Sequence, residues 1–183
     1  MSQLKVNSIV PTGGVSTGAS GGIIQVIQKE ITTVGQISMC NEQFNSLGSN
    51  FSVAITPSST SSKILIMAML NGEFSDLSFL YKAQMAFTRN GTEIWNGDNP
   101  DSKTPGYGPW SVNYHNDASN TMEQKEFMYV DSPSTTSACT YQMGIHCGNG
   151  SGTFSFNRNH SGTNNAAHQR SVSSVILMEV SSS

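Results

Sequence analysis

Charge is what this 183-residue chain has least of: Asp, Glu, Lys and Arg make up 11% of it, against about 25% in a typical soluble domain. Nine basic and twelve acidic residues give a net charge of −3. No basic stripe is available to neutralise phosphates, so no nucleic-acid partner is expected. Long apolar runs are missing too. The longest, Ile64-Leu-Ile-Met-Ala-Met-Leu70, falls far short of the roughly 20 residues a membrane helix needs, so no membrane insertion is expected. Met1-Ser-Gln-Leu-Lys5 has neither the basic start nor the apolar stretch of a secretory signal, which predicts a protein made in a cytoplasm and held there until assembly or lysis. Cysteine is scarce, and Cys40, Cys139 and Cys147 cannot all pair within one chain. Cys139 and Cys147 fall in one predicted strand, where eight residues at about 3.3 Å each hold them beyond disulfide reach. Buried free thiols are therefore expected. His115, His146, His160 and His168 show no metal-ligand spacing, and no Asp-x-Asp-x-Asp-Gly loop is present. No metal or cofactor is expected.

Ser, Thr, Asn and Gly fill the space that charge leaves. An arm, Met1–Gly22, carries one short apolar stripe and then dissolves into Pro11-Thr-Gly-Gly-Val-Ser-Thr-Gly-Ala-Ser-Gly-Gly22. Gly14-Val-Ser16-Thr-Gly18 and Gly18-Ala-Ser20-Gly-Gly22 match a nucleophile-elbow pattern, but that chemistry needs a sharp strand-to-helix turn beside a positioned histidine. In a Gly/Ser tract such matches arise from composition, so they read as linker and no enzyme is expected. A flexible tether ahead of one β-module, residues 23–183, suits a protein attached to something larger. Leu4, Val6 and Ile9 are the candidate anchors of that arm.

After the arm the period is two. Phe51, Val53 and Ile55 alternate with Ser52 and Ala54; Ala83, Met85 and Phe87 make a second apolar face, Cys139 through Cys147 at odd positions a third, and Phe154 and Phe156 a shorter fourth. One wet and one dry face per strand is the pattern of antiparallel sheets. Arg89-Asn90-Gly91-Thr92 predicts a two-residue type I′ hairpin, which sets Phe87 opposite Ile94 and turns Trp95 to the other side. Gly148-Asn-Gly-Ser-Gly152 reads as a second hairpin loop. No segment sustains helical spacing. The expected fold is all-β, an antiparallel β-sandwich behind an extended arm.

Two strands break the alternation. Lys63–Leu70 has Ile64, Ile66, Ala68 and Leu70 on one face and Leu65, Met67 and Met69 on the other; Val172–Val180 sets Val175 and Leu177 against Ile176, Met178 and Val180. A sandwich sheet needs only one buried face, so the second requires a cover. A long loop could supply it in a monomer, and neighbouring subunits about a closed axis would supply it in an oligomer. The oligomer is the expectation, and Ile64, Leu65, Ile66, Met67, Met69, Val175 and Leu177 are the candidate interface, the inward row being undetermined.

Gly97–Asn120 exceeds the ~12–15 residues at which structureless loops are often functional. It carries Asp98, Asp101, Tyr107, Trp110 and Tyr114, with Trp95 just before it. Aromatic faces with nearby acids and amides suit a host-surface glycan. The leading expectation is that Tyr107 and Trp110 pin the loop to the sandwich or to a neighbour, because aromatics most often serve as packing area, with glycan contact the alternative.

Leu4-Lys-Val-Asn-Ser-Ile-Val-Pro-Thr-Gly-Gly14 resembles the opening of small virion proteins of marine tailed phages, cyanophages in particular. Tyr129-Val-Asp-Ser-Pro-Ser-Thr-Thr-Ser-Ala-Cys-Thr-Tyr141, Gly152-Thr-Phe-Ser-Phe-Asn-Arg158 and Ser174-Val-Ile-Leu-Met-Glu-Val180 resemble the β-domain of the same proteins. The resemblance implies a virion location and a jelly-roll related to the trimeric tumour-necrosis-factor and C1q heads. It also implies a tail-fibre-like, receptor-binding or capsid-associated role, with the two-sided strands facing a three-fold axis; the tether reading adds docking of the arm on other virion proteins.

Overall fold

The computed structural model describes residues 22–39, 42–75, 82–95, 104–110, 121–148, 150, 152–162, 166 and 168–181. The arm ahead of residue 22, Cys40, Asp98, Asp101 and Tyr114 lie outside them. The strands are β1 (Ile23–Ile31), β2 (Gly35–Met39), β3 (Gln43–Ser46), β4 (Ser52–Ile55), β5 (Lys63–Phe74) and β6 (Ala83–Arg89). They continue with β7 (Thr92–Ile94), β8 (Gly108–Pro109), β9 (Glu123–Asp131), β10 (Cys139–Cys147), β11 (Gly152–Phe156) and β12 (Ser173–Val180). Among the described residues the only helical element is a single 3₁₀ turn, Ser49–Phe51.

Two antiparallel sheets form a sandwich. The first runs β1-β12-β5-β11-β2, and β9 takes the edge of β5 that β12 leaves free. The second runs β3-β10-β6-β7, with β4 completing the β3 side and β8 the β7 side. The alternating faces read from sequence meet between them: Phe51, Val53 and Ile55, then Ala83, Met85 and Phe87, then Cys139, Tyr141, Met143, Ile145 and Cys147 are all buried. Both described cysteines, Cys139 and Cys147, are buried. Each fully buried aliphatic side chain contributes roughly 1.5–3 kcal/mol.

The Asn90-Gly91 hairpin forms with Phe87 opposite Ile94, and both turn residues take positive φ, 51° and 84°. The second expected hairpin does not form. Gly148–Gly152 follows β10 in the second sheet and leads to β11 in the first, so the chain crosses the sandwich there instead of doubling back. Turn-rich composition marks the bend but not which sheet receives the next strand.

Glycines in the strands make room for rings. A Cβ on Gly72 would lie 2.2 Å from the Phe154 ring and 2.5 Å from the Ser155 carbonyl. A Cβ on Gly144 would meet the Phe44 ring at 2.3 Å and the Asn45 carbonyl at 2.5 Å. Both rings lie against bare backbone of a neighbouring strand.

The core-facing row of β12 ends in a carboxylate. Glu179 is fully buried, and burial alone would raise its pKa, but hydrogen bonds from Ser58 and Gln25 outweigh that and hold it at about 2. The Ser58 amide and hydroxyl donate to Oε1 at 2.7 and 2.6 Å, and Gln25 Nε2 donates to Oε2 at 2.5 Å. This clamp ties β1 and the β4–β5 connection to β12. Because the folded pKa is lowered, its stabilisation is complete above the ordinary value of 4.5 and drains as pH falls toward about 2. Glu179→Gln is expected to lose roughly 1.5–3 kcal/mol at pH 7, the worth of hydrogen bonds to a buried charge. Melts followed by circular dichroism should show the gap to wild type narrowing between pH 4.5 and pH 2.

Candidate assembly interface

The two-sided strands are neighbours. β12 pairs with β5 in antiparallel register, Leu177 opposite Ile66 and Ile176 opposite Met67. Residues directly opposite share a face, so one row belongs wholly to the core and the other wholly to the outside. Ile64, Ile66, Val175 and Leu177 are fully buried in the chain's own sandwich. They are corrected from interface to core: their inward direction packs them on the second sheet and leaves nothing for a neighbour. Leu65, Met67 and Met69 point outward and are half-buried.

The outer face extends across four strands, further than the sequence reading placed it. One cross-strand row is Val26, Met178, Leu65 and Val130; the next is Gln28, Ile176, Met67 and Met128; the third is Glu30, Ser174, Met69 and Glu126. Val26, Met128 and Val130 are 54%, 67% and 52% exposed. A bulge between Ile23 and Gln25 sets Ile23 opposite Val180 and leaves Ile24 unpaired, and both isoleucines are exposed. The face is thus apolar beside the arm's point of departure and acidic at the far end, where Glu30 and Glu126 flank it. Its centre, Met67, Met69, Met128 and Ile176, borders a shallow depression. Methionine's flexible, polarisable chain makes such a surface adaptable to a partner.

β9 was missed at the sequence level, though its signal was present: in Phe127-Met-Tyr-Val130 both alternating faces are apolar, as in β5. Ile23-Ile-Gln-Val-Ile27 carries the same double signal.

The aromatic loop residues are placed differently from a sugar platform. Trp110 is fully buried, edge-on to Phe74 at 5.8 Å and to Phe154 at 5.0 Å, and its backbone amide donates to the Ala83 carbonyl at 2.9 Å. Tyr107 stacks on Phe127 at 5.8 Å, contacts Tyr129 at 4.4 Å and donates its hydroxyl to the Ile94 carbonyl. Trp110, with no face left open, is corrected from a possible ligand contact to a packing residue, and Tyr107 packs against the core; together they fasten β8 to β6, the pinning reading weighed for this loop. Trp95 is half-buried beside β7.

Behind Tyr107 lies a polar knot. Asp131 Oδ2 accepts from Arg89 Nη1 at 2.5 Å and from the Tyr141 hydroxyl at 2.6 Å. Burial, then the bond to Asp131, pushes the Tyr141 phenol far above its usual range, so it stays a donor. Arg89 thereby tethers the second sheet to the end of β9. His146 points outward and meets Glu93 Oε2 at 3.0 Å through Nδ1, whereas Cys147 points into the core. Among the described residues no group of three His, Cys, Asp or Glu is placed to hold a metal, and no helix is long and apolar enough to cross a membrane.

No family model matches this sequence, and no curated protein does. Solved structures to which the chain is similar include the infectious bursal disease virus Gx strain, at 14% identity and a TM-score of 0.37 over 97% of this chain and 43% of that one. The VP2 subviral particle of the same virus matches at 13% identity and a TM-score of 0.39, again over 97% and 43%. This chain spans less than half the length of those chains.

Proposed function

We propose that this chain is a structural component of a virion: a β-sandwich that assembles as a homotrimer through the outer face of β1, β12, β5 and β9, tied to the particle by residues 1–22. The observation that carries the assembly is that face, with seven apolar side chains in two cross-strand rows and the most exposed of them, Met128, on β9. A patch this continuous is unusual on a monomer and marks a contact surface. The three-fold order, the virion setting and the tail-fibre-like or receptor-binding role rest on the resemblance of the arm and the β-domain segments to marine phage virion proteins. A capsid-decorating or head-fibre position would use the same surfaces.

Ser155, His160 and Glu73 are neighbours, but their bonds do not run in the order of a catalytic triad. Ser155 is fully buried, its hydroxyl meets His160 Nδ1 at 3.1 Å, and Glu73 Oε2 accepts from the His160 backbone amide at 2.8 Å and not from the ring. A working triad aligns acid, ring and nucleophile in that order.

Deleting residues 1–21 should leave a folded oligomer of unchanged size that no longer incorporates into particles. Particle sedimentation with immunodetection reads the result. A truncated chain that still joins particles would refute the tether.

A further inference from the structure

The second sheet also has an outer face, and its chemistry is the opposite of the first. Its rows are Ala54 with Thr140; Ser52, Gln142, Thr88 and Glu93; Ser46, Gly144 and Ala86; and Phe44, His146 and Gln84. Among the described residues of these rows, hydroxyls, amides and small residues prevail, and Phe44 is the one phenyl ring. That ring is half-buried and lies flat enough on the strand that a Cβ at Gly144 would collide with it.

Beside Phe44 is a depression of about 470 Å³ whose lining includes Ser52, Thr88, Asn90, Thr140 and Gln142, and among the described residues none that line it is charged. Its walls are held in place. The Ser52 hydroxyl donates to Gln142 Oε1, Gln142 Nε2 donates to the Gly48 and Met143 carbonyls at 2.9 and 3.0 Å, and Asn90 Oδ1 accepts from the Thr140 amide at 2.8 Å. With Oδ1 engaged, the Asn90 amino group is left to donate. The Thr88 and Thr140 hydroxyls can each donate and accept.

From this juxtaposition we infer that the outer face of the second sheet is a binding site for a neutral oligosaccharide, with Phe44 as the platform for the apolar face of one sugar ring and Thr88, Asn90 and Thr140, further along the strands, as partners for the hydroxyls of the adjoining sugar. A fixed aromatic plane beside oriented neutral donors and acceptors matches a pyranose, which is apolar on its faces and hydroxylated around its edge. The described lining offers neutral donors and acceptors and no Lys or Arg, which suits an uncharged ligand better than a phosphorylated or carboxylated one, which charge-assisted bonds would recognise. The inference goes beyond the assembly reading and does not need it, although a trimer closed through the first sheet would leave this second face turned outward.

The test is titration of the full-length, isotopically labelled protein with uncharged gluco-, galacto- and manno-oligosaccharides, and in parallel with a sialylated one. Amide shift changes for a neutral sugar should cluster at Phe44, Asn90, Gly91, Thr140 and Gln142. Phe44→Ala should weaken binding at least tenfold with the dispersion of the spectrum unchanged, and Thr88→Val severalfold. If Phe44→Ala fails to fold, the wild-type shift map and Thr88→Val decide the matter. Shifts confined to another surface, stronger binding of the sialylated sugar, full affinity in a folded Phe44→Ala, or no response to any neutral sugar at millimolar concentration would overturn it. None of these outcomes depends on the oligomeric state, so the site and the assembly stand or fall separately.

Discussion

Ile66→Glu and Met67→Glu, one residue apart on β5, are expected to fail in opposite ways. Ile66 is fully buried between the sheets, opposite Leu177 on one side and Tyr129 on the other. A glutamate there must hold an unpaired charge in an apolar interior or be protonated, at a cost of several kcal/mol either way. Against a total stability of about 5–15 kcal/mol, that is enough to leave little native protein. Met67 stands between Ile176 and Met128 on the outer face. In the isolated chain its carboxylate would reach water at little expense. In a trimer closed through this face, three such charges would be desolvated near one another, so the variant should be a folded monomer. Circular dichroism separates the unfolded variant from the folded one, and light scattering reads the mass. A trimeric Met67→Glu would remove this face from the interface.

Trp110→Ala is expected to be among the most destabilising substitutions outside β5. The indole is fully enclosed and meets two phenylalanine rings edge-on, Phe74 and Phe154, which belong to different strands of the first sheet. Removing a buried Trp typically costs 3–5 kcal/mol, transfer and cavity together. At roughly 2–4 °C per kcal/mol for a chain of this size, the melting midpoint should fall by about 10 °C. Tyr107→Phe, which deletes only the hydroxyl bonded to the Ile94 carbonyl, should cost about 1 kcal/mol. A Trp110→Ala protein with an unchanged midpoint would mean that the indole is not the anchor of β8.

Which properties were legible in the sequence follows from the range of the interactions. Alternation is local, so the buried faces of β4, β6, β10 and β11 could be read residue by residue, as could the Asn90-Gly91 turn. The double-faced composition of β5 and β12 was legible as well, and so was the need for a cover. Which row faced inward was not, because it depends on where the second sheet lies. The buried carboxylates are the clearest loss. Glu179 sits among apolar neighbours in sequence, and its partners Gln25 and Ser58 are 154 and 121 residues away. Asp131 likewise meets Arg89 across 42 residues. Trp110 and Tyr107 were placed in a long polar loop by composition, yet β8 pairs with β6 and returns both rings to the core. Phe44 drew no notice because it is isolated in sequence, and only the glycine on the neighbouring strand shows that its ring lies on the sheet.

The central claim is that the outer face of β1, β12, β5 and β9 is covered by other copies of this chain. The most direct test is the mass of the purified wild-type protein in solution at micromolar concentration, by light scattering coupled to size-exclusion chromatography. The account predicts three times the 19.6 kDa chain mass. A compact particle of 19.6 kDa would contradict it.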